Sequence, residues 1–198
     1  MTESNRLNQQ VDFIKATESL KTIKRQNQTL DGRFENSAEH SWQLALMAIT
    51  FQEHFAEKID ILKVISMLLL HDLGEIGTGD TSAFDELGKA TSYDRELVSV
   101  KETLSHLPKE QFQDYLDLWN EFEKGATKEA RYARCIDALA PLLNHSFIAE
   151  RDANPDDLTV SQVLSKKAFI KEESLSLWNL TLSLIEESVA RGLYRDDR

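Results

Sequence analysis

The chain has 198 residues, of which 41% are hydrophobic and 29% charged, enough for one domain with a single core. Its formal net charge of -11 excludes a nucleic-acid polymer as partner, since that needs a basic footprint, but leaves room for a small phosphorylated ligand at a local positive site. No apolar run approaches the length that crosses a membrane, and Met1 to Asn5 show no basic segment leading into an apolar one, so no membrane partner and a cytoplasmic location are expected.

Only seven glycines and three prolines punctuate the chain, with long stretches of helical periodicity between them, so the expected fold is all-α. The first helix is expected over about 6–24, with Leu7, Val11, Ile14, Leu20 and Ile23 inward. A connector follows from Arg25 to Glu35. Asn36-Ser37-Ala38-Glu39 reads as a capping box that opens a helix to about Ala56, with Ala38, Trp42, Ala45 and Ile49 on its inward stripe. A helix from about Asp60 to Leu73 is apolar nearly all round and therefore central. Gly74, Gly77 and Gly79 mark a loop to about Ala90. Further helices are expected at about 92–106, 109–124, 127–150 and 166–191, with a turn at Asn154-Pro155-Asp156-Asp157. Phe112, Tyr115, Leu116, Trp119 and Phe122 form one stripe; Leu175, Trp178, Leu182, Ile185 and Val189 form another. All three tryptophans are expected in the core. Cys135 is the only cysteine; it excludes an intrachain disulfide or zinc ribbon and reads as a small buried hydrophobe.

One dipeptide interrupts this pattern. His71-Asp72 follows Met67-Leu68-Leu69-Leu70, where the helix is otherwise buried, and buried charge is costly unless paired or bound to metal. His40 stands in the first turn of the preceding helix. Asp137 lies between Ile136 and Ala138-Leu139 on a later helix. Two imidazoles and two carboxylates from three helices suit one divalent ion and leave positions for water and substrate. Taken singly, His40 could also be a surface residue beside a cap, and Asp137 could pair with Arg131 or Arg134. His54, His106 and His145 remain as candidates for a second metal.

The joint pattern resembles the HD-domain metal-dependent phosphohydrolases, above all the bacterial-type 5′-deoxynucleotidases and their eukaryotic HD-domain relatives. The resemblance is carried by Glu35-Asn36-Ser37-Ala38-Glu39-His40-Ser41, by Leu70-His71-Asp72-Leu73-Gly74-Glu75 with Gly79-Asp80, and by Leu118 through Ile136-Asp137-Ala138-Leu139. It implies a single helical HD domain over 1–198, with the metal-site core at about 20–147 and the helix at 166–191 packed on it. It implies one divalent ion (Mn, Co, Zn, Mg, Fe or Ni) on His40, His71, Asp72 and Asp137. It also implies hydrolysis of nucleoside or deoxynucleoside 5′-monophosphates, with Glu75 preparing the attacking water and Asp80 protonating the leaving 5′-oxygen. Arg25, fifteen residues before His40, matches a phosphate-binding arginine, and Arg33 is a second candidate. A homodimer is implied as well. Two departures stand out: Gln26 replaces a tryptophan next to the phosphate arginine, and Pro141 follows Asp137 by four residues, so the carbonyl of Asp137 has no helical N–H partner. The alternatives are hydrolysis of another phosphate ester (a nucleoside triphosphate, cyclic nucleotide or sugar phosphate) and a non-catalytic module that keeps the metal as a staple.

Overall fold

The computed structural model describes residues 3–198. Helix α1 (Glu3–Thr17) runs into a 3-10 turn (Glu18–Thr22) and a short antiparallel hairpin, β1 (Lys24–Gln28) and β2 (Phe34–Asn36). Then follow α2 (Ser37–Phe51), α3 (Ile61–Leu70), a 3-10 segment (His71–Gly74), α4 (Glu75–Thr78), α5 (Glu86–Leu104), α6 (Lys109–Lys124) and α7 (Lys128–Ile148). The chain closes with α8 (Val160–Lys167), α9 (Ile170–Glu173) and α10 (Leu175–Ala190). Among the described residues no helix is long and apolar enough to cross a membrane.

Helix α7 is the hub, packed against α2, α3, α6, α10 and the hairpin. One buried cluster joins Leu44 and Ala48 of α2, Val64, Met67 and Leu68 of α3, Ile136 and Leu139 of α7, and Leu177 and Ile185 of α10. Each such aliphatic side chain contributes about 1.5–3 kcal/mol by leaving water. A second cluster joins Phe13, Leu70, Leu73, Val100, Leu104 and Trp119. Leu70 and Leu73 anchor the chain in this second cluster on both sides of His71-Asp72, so that dipeptide is held at the seam between the two cores.

The predicted capping box is present. The Glu39 amide donates to Asn36 Oδ1 at 3.0 Å, and Glu39 Oε2 accepts from the Asn36 amide at 3.2 Å. Such a cap contributes about 1 kcal/mol and fixes where α2 begins, hence where His40 points. The turn at Asn154–Asp157 is also formed, closed by the Asp157 amide on the Asn154 carbonyl. Cys135 is buried in the α7 core.

Several expected faces and boundaries differ. Leu7, Val11 and Ile14 are exposed, because other side chains of α1 face its neighbours: Arg6 toward Glu110 at the solvent edge, Gln10 on Gln111, and Phe13 edge-on to Tyr115. Hydropathy periodicity does not register an inward face of that composition. Trp42 and Ile49 are likewise exposed, since His40 faces inward and Trp42, two positions on, points to the opposite side. Of the tryptophans, Trp119 is buried, Trp178 half-buried and Trp42 exposed. The connector expected at Arg25–Glu35 contains the hairpin, whose strands are too short to show alternation beyond noise. Helix α3 exposes Leu62 and Leu69, so it is buried on one side only, and it ends at Leu70 rather than Leu73. The long C-terminal helix is three helices, broken at Ser174, whose hydroxyl donates to the His54 carbonyl at 2.6 Å and accepts from the Leu177 amide. The inward stripe of α10 is Leu177, Thr181, Leu184, Ile185 and Ser188, with Leu175 and Leu182 exposed.

The glycine-rich stretch is more ordered than expected. Gly74 and Gly77 are close-packing positions against α5: a Cβ on Gly74 would stand 2.6 Å from Glu96 Cβ, and one on Gly77 would stand 2.8 Å from Ser99 Oγ. The Gly77 amide donates to that hydroxyl at 2.9 Å. Only Gly79, with φ +75°, is a true reversal. Overpacking at such a contact costs about 1–3 kcal/mol. Gly74→Ala is therefore expected to destabilise by that amount in urea unfolding; an unchanged midpoint and slope would show that the α4–α5 contact does not constrain the fold.

Candidate metal centre

The 3-10 segment turns two ligand candidates toward α7. His71 Nδ1 lies 2.9 Å from the Leu68 carbonyl, and Trp119 Nε1 donates to the His71 carbonyl at 2.9 Å. A carbonyl only accepts, so Nδ1 carries the proton and, in neutral imidazole, Nε2 carries the lone pair. That lone pair faces Asp72 Oδ1 at 3.0 Å and Asp137 Oδ1 at 3.7 Å, yet Nε2 is aligned with no hydrogen-bond partner. A buried acceptor pointed at carboxylates needs a cation between them, or a second proton. His40, buried on α2, brings its Nε2 to 3.1 Å from Asp137 Oδ1, with Nδ1 3.6 Å from Glu35 Oε2. The donor atoms of His40, His71 and Asp72 lie within 4.8 Å of one another, a spacing roughly suited to ligands about 2.0–2.2 Å from a common ion. Asp137 contacts both histidines from α7. The four residues expected from sequence therefore converge, and their donor set fits a divalent ion.

The hairpin closes the site. Burial alternates along β1, so Arg25 and Asn27 face inward while Gln26 points out. Asn27 Nδ2 donates to the Pro141 carbonyl at 3.5 Å, and Asn144 Nδ2 to the Gln28 carbonyl at 3.1 Å, which fastens β1 to α7. Helix α7 runs through Pro141 without a break. Arg25 then lies among four carboxylates. Its Nη1 is 3.0 Å from Asp72, 3.4 Å from Glu75 and 3.8 Å from Asp80, and its Nε is 3.7 Å from Glu35. Its Nη2 donates to none of the described residues. Arg33 is not brought to this cluster. It is exposed and grips Glu39 through both terminal nitrogens, at 2.8 and 2.7 Å, so it supports the α2 cap instead. Gln26, on the outer face of the hairpin, is not the position from which an aromatic side chain would cover the cluster.

The electrostatics are those of crowded carboxylates. Burial, with Asp72 nearby, pushes the Glu75 carboxyl up to about 8 against the opposing pull of Arg25 and of the Ser37 hydroxyl, which donates to Glu75 at 2.5 Å. Burial would also raise Asp72, but His71 and Arg25 outweigh it and hold that group at about 2. Asp137 is held well below the usual carboxylate range by the two histidines, again against burial. Burial disfavours charge on His71, yet Asp72 and Asp137 raise it well above an ordinary imidazole. For Arg25, too, the carboxylates overcome the cost of burial and raise it.

Three supporting residues were not singled out from sequence. Ser37 fixes Glu75, Glu35 stands behind His40, and Trp119 holds the His71 carbonyl; only Glu35 had a legible signal, as a carboxylate inside the segment that ends in His40. The other rival readings separate cleanly. Arg131 pairs with Glu173 and Glu57, and Arg134 donates to the carbonyls of Phe122 and Glu123, so neither takes Asp137. His54 packs on Phe51, His145 stacks on Tyr194 and His106 is exposed, so none joins the cluster.

A helical protein in which His40, His71 and Asp72 could hold a metal ion, with Asp137 against both histidines and Arg25 beside them, has the features of a metal-dependent phosphohydrolase. The chain belongs to the HD domain family, whose model matches residues 17–178. It is 38% identical to a predicted metal-dependent phosphohydrolase from Magnetospirillum magnetotacticum, whose crystal structure superposes with a TM-score of 0.88 over 96% of each chain. It is 30% identical over 140 residues to the 5'-deoxynucleotidase HDDC2 of Dictyostelium discoideum, covering 67% of this chain and 74% of that one. The mouse protein of the same name is 24% identical over 124 residues, 63% of this chain and 61% of the relative's length.

The shifted groups fix the pH dependence of the metal-free protein. Glu75 and His71 bind protons more tightly folded than unfolded, so their contribution is lost as pH rises: from about 4.5 through about 8 for Glu75, and from about 6.5 upward for His71. Asp72 acts in the opposite sense, with stability present above about pH 4 and lost as pH falls toward about 2. The melting temperature of EDTA-stripped protein is therefore expected to fall between about pH 5 and pH 9, and Glu75→Gln should flatten that fall. Thermal melts across this range check it; identical slopes in both proteins would remove Glu75 from the account.

Proposed function

We propose that the protein hydrolyses deoxynucleoside 5′-monophosphates to nucleoside and phosphate, using one divalent ion held by His40, His71, Asp72 and Asp137. The observation that carries this reading is the placement of Glu75 and Asp80 on the same guanidinium, Arg25, beside the His/Asp cluster. The names of the HDDC2 relatives support the substrate class. When bound, the ion supplies Lewis acidity toward the phosphoryl group and acidifies water beside it.

The chain's own residues do the rest. Arg25 offers its free Nη2 to a phosphate oxygen. Glu75, oriented by Ser37 and made more basic by burial, accepts a proton from the attacking water in its carboxylate form, which Arg25 favours. Asp80, just beyond the reversal at Gly79, donates one to the leaving 5′-oxygen. Glu35 holds His40 in register. A mere metal staple needs neither Glu75 nor Asp80 nor a buried arginine among them. Hydrolysis of another phosphate ester uses the same residues, and the substrate panel separates it.

The test is phosphate release from a panel of mononucleotides, with several divalent metals. Glu75→Ala and Asp80→Ala should keep metal content and fold but lose roughly 100- to 10,000-fold in turnover, the usual range for an acid or base. Asp80→Ala should lose least on p-nitrophenyl phosphate, whose leaving group hardly needs a proton. His71→Ala should lose the ion itself. Normal turnover in both carboxylate variants would overturn the assigned roles.

We also propose a homodimer. The exposed row Leu7, Val11 and Ile14 on α1 repeats at helical spacing and supports a second copy as its cover. Sedimentation at micromolar concentration is expected to give a dimer, converted to monomer by Val11→Glu; a monomeric parent protein would refute it.

A further inference from the structure

Helix α6 presents two aromatic side chains to the segment that carries His71. Trp119 and Phe122 stand three residues apart on one face of the helix, and both are buried. Trp119 Nε1 donates to the His71 carbonyl at 2.9 Å, and the Phe122 ring lies 5.1 Å from the His71 imidazole with 58° between their planes. The other hold on His71, from Nδ1 to the Leu68 carbonyl at 2.9 Å, comes from its own stretch of chain. That bond orients the ring relative to the end of α3. It does not place that end relative to α2 and α7, where His40 and Asp137 stand.

Helix α3 stops at Leu70 and gives way to the 3-10 segment at His71. Carbonyls near a helix end lack the regular partner four residues on, and 3-10 hydrogen bonds have poorer geometry, so the tilt of the His71 peptide is not set by the helix alone. The indole is the better fixed of the two groups. It is fully buried, in the cluster that includes Leu70 and Leu73. Tyr93 of α5 stacks on it, with ring centroids 5.5 Å apart and planes at 27°, and the Tyr93 hydroxyl donates to Asn120 Oδ1 at 3.3 Å. A buried indole N–H needs an acceptor, and here the acceptor is the backbone of a candidate metal ligand. Packing fixes the indole, and the indole fixes the peptide.

We propose that Trp119 is a positioning residue for metal binding: its N–H, acting through the His71 carbonyl, holds the imidazole in the pose that turns Nε2 toward Asp72 and Asp137. The indole itself contacts the peptide and not the imidazole. The link to metal rests on the reading of His71 as a ligand; the pose of His71 can be read without an ion.

The experiment uses the full chain in four forms: wild type, Trp119→benzothienylalanine, Trp119→Phe and Leu104→Ala. Benzothienylalanine keeps the bicyclic shape and puts sulfur in place of the N–H. Leu104→Ala is a packing control in the same cluster. Manganese affinity is measured by calorimetry, and the histidine Nδ1–H signals of the metal-free proteins by proton–nitrogen NMR. Outer-shell partners of a metal ligand are worth about 10- to 100-fold in affinity. The contact here is to the backbone, so both Trp119 variants are expected to bind manganese about 10-fold more weakly, the low end of that range, with a shifted and faster-exchanging His71 Nδ1–H signal. Leu104→Ala should melt no higher than the benzothienylalanine variant, yet keep wild-type manganese affinity and the wild-type His71 signal. Wild-type manganese affinity in the benzothienylalanine variant overturns the proposal. So does an equal loss of affinity in Leu104→Ala, which would make the effect one of general stability. If the wild type takes up no divalent ion, the ligand reading of His71 fails, and the NMR signal alone decides the pose: a shift in the benzothienylalanine variant upholds the hold by Trp119, and an unchanged signal overturns it.

Discussion

Carboxylate crowding is the constraint around which this molecule is organised. Glu35, Asp72, Glu75, Asp80 and Asp137 converge on one seam, where Arg25 faces the first four and the two histidines face Asp137. Such an excess of negative charge is tolerated in a buried place only if protons or a metal ion make up the difference. The crowding shows in the titratable groups: burial and Asp72 push the Glu75 carboxyl up to about 8, and Asp72 and Asp137 raise His71 well above an ordinary imidazole. A divalent ion held by His40, His71 and Asp72 would supply the missing positive charge, and their donor atoms are spaced so that they could hold one.

Much of the fold can be understood as what brings those groups together. The cap at Asn36 fixes the start of α2 and therefore the bearing of His40. Leu70 and Leu73 in the second core hold the 3-10 segment on either side of His71-Asp72. Gly74 and Gly77 let α5 approach until Glu75 is held under the hairpin. Asn27 and Asn144 tie that hairpin to α7, so that Arg25 arrives over Asp72. Apart from the hydrophobic packing of Leu70 and Leu73, these contacts are polar or steric, and each acts on one side chain of the site.

A second theme is that inward faces need not be apolar. On α1 the inner side carries Arg6 and Gln10 with Phe13, while Leu7, Val11 and Ile14 look outward. On α2 the inner side begins with His40 and Ser41, and Trp42 is outside. On α8 the buried positions Val160 and Val163 are followed by Lys167. In all three helices, hydropathy assigned the wrong face or missed a polar residue on the inner one, because an argument that scores only apolarity does not register a polar group held inside.

The sequence by itself determined the helical class, because glycine and proline are scarce and period-3.6 stripes are long. It pointed to four candidate ligands as well, since His71-Asp72 and Asp137 interrupt apolar runs and their joint pattern with His40 resembles a known family, although His40 and Asp137 taken singly had other readings. It also determined the α2 cap and the turn at Asn154, which are local and depend on neighbouring residues alone. What only the tertiary structure decided was every relation between distant segments. That Arg25 belongs to the centre and Arg33 to the cap follows from strand alternation in a hairpin too short to read. That Gly74 and Gly77 are contacts rather than loop follows from Glu96 and Ser99 of α5, each 22 residues further on. The partners of Glu75, Ser37 and Arg25, depend on which segments meet in space, and spacing along one chain holds no record of that.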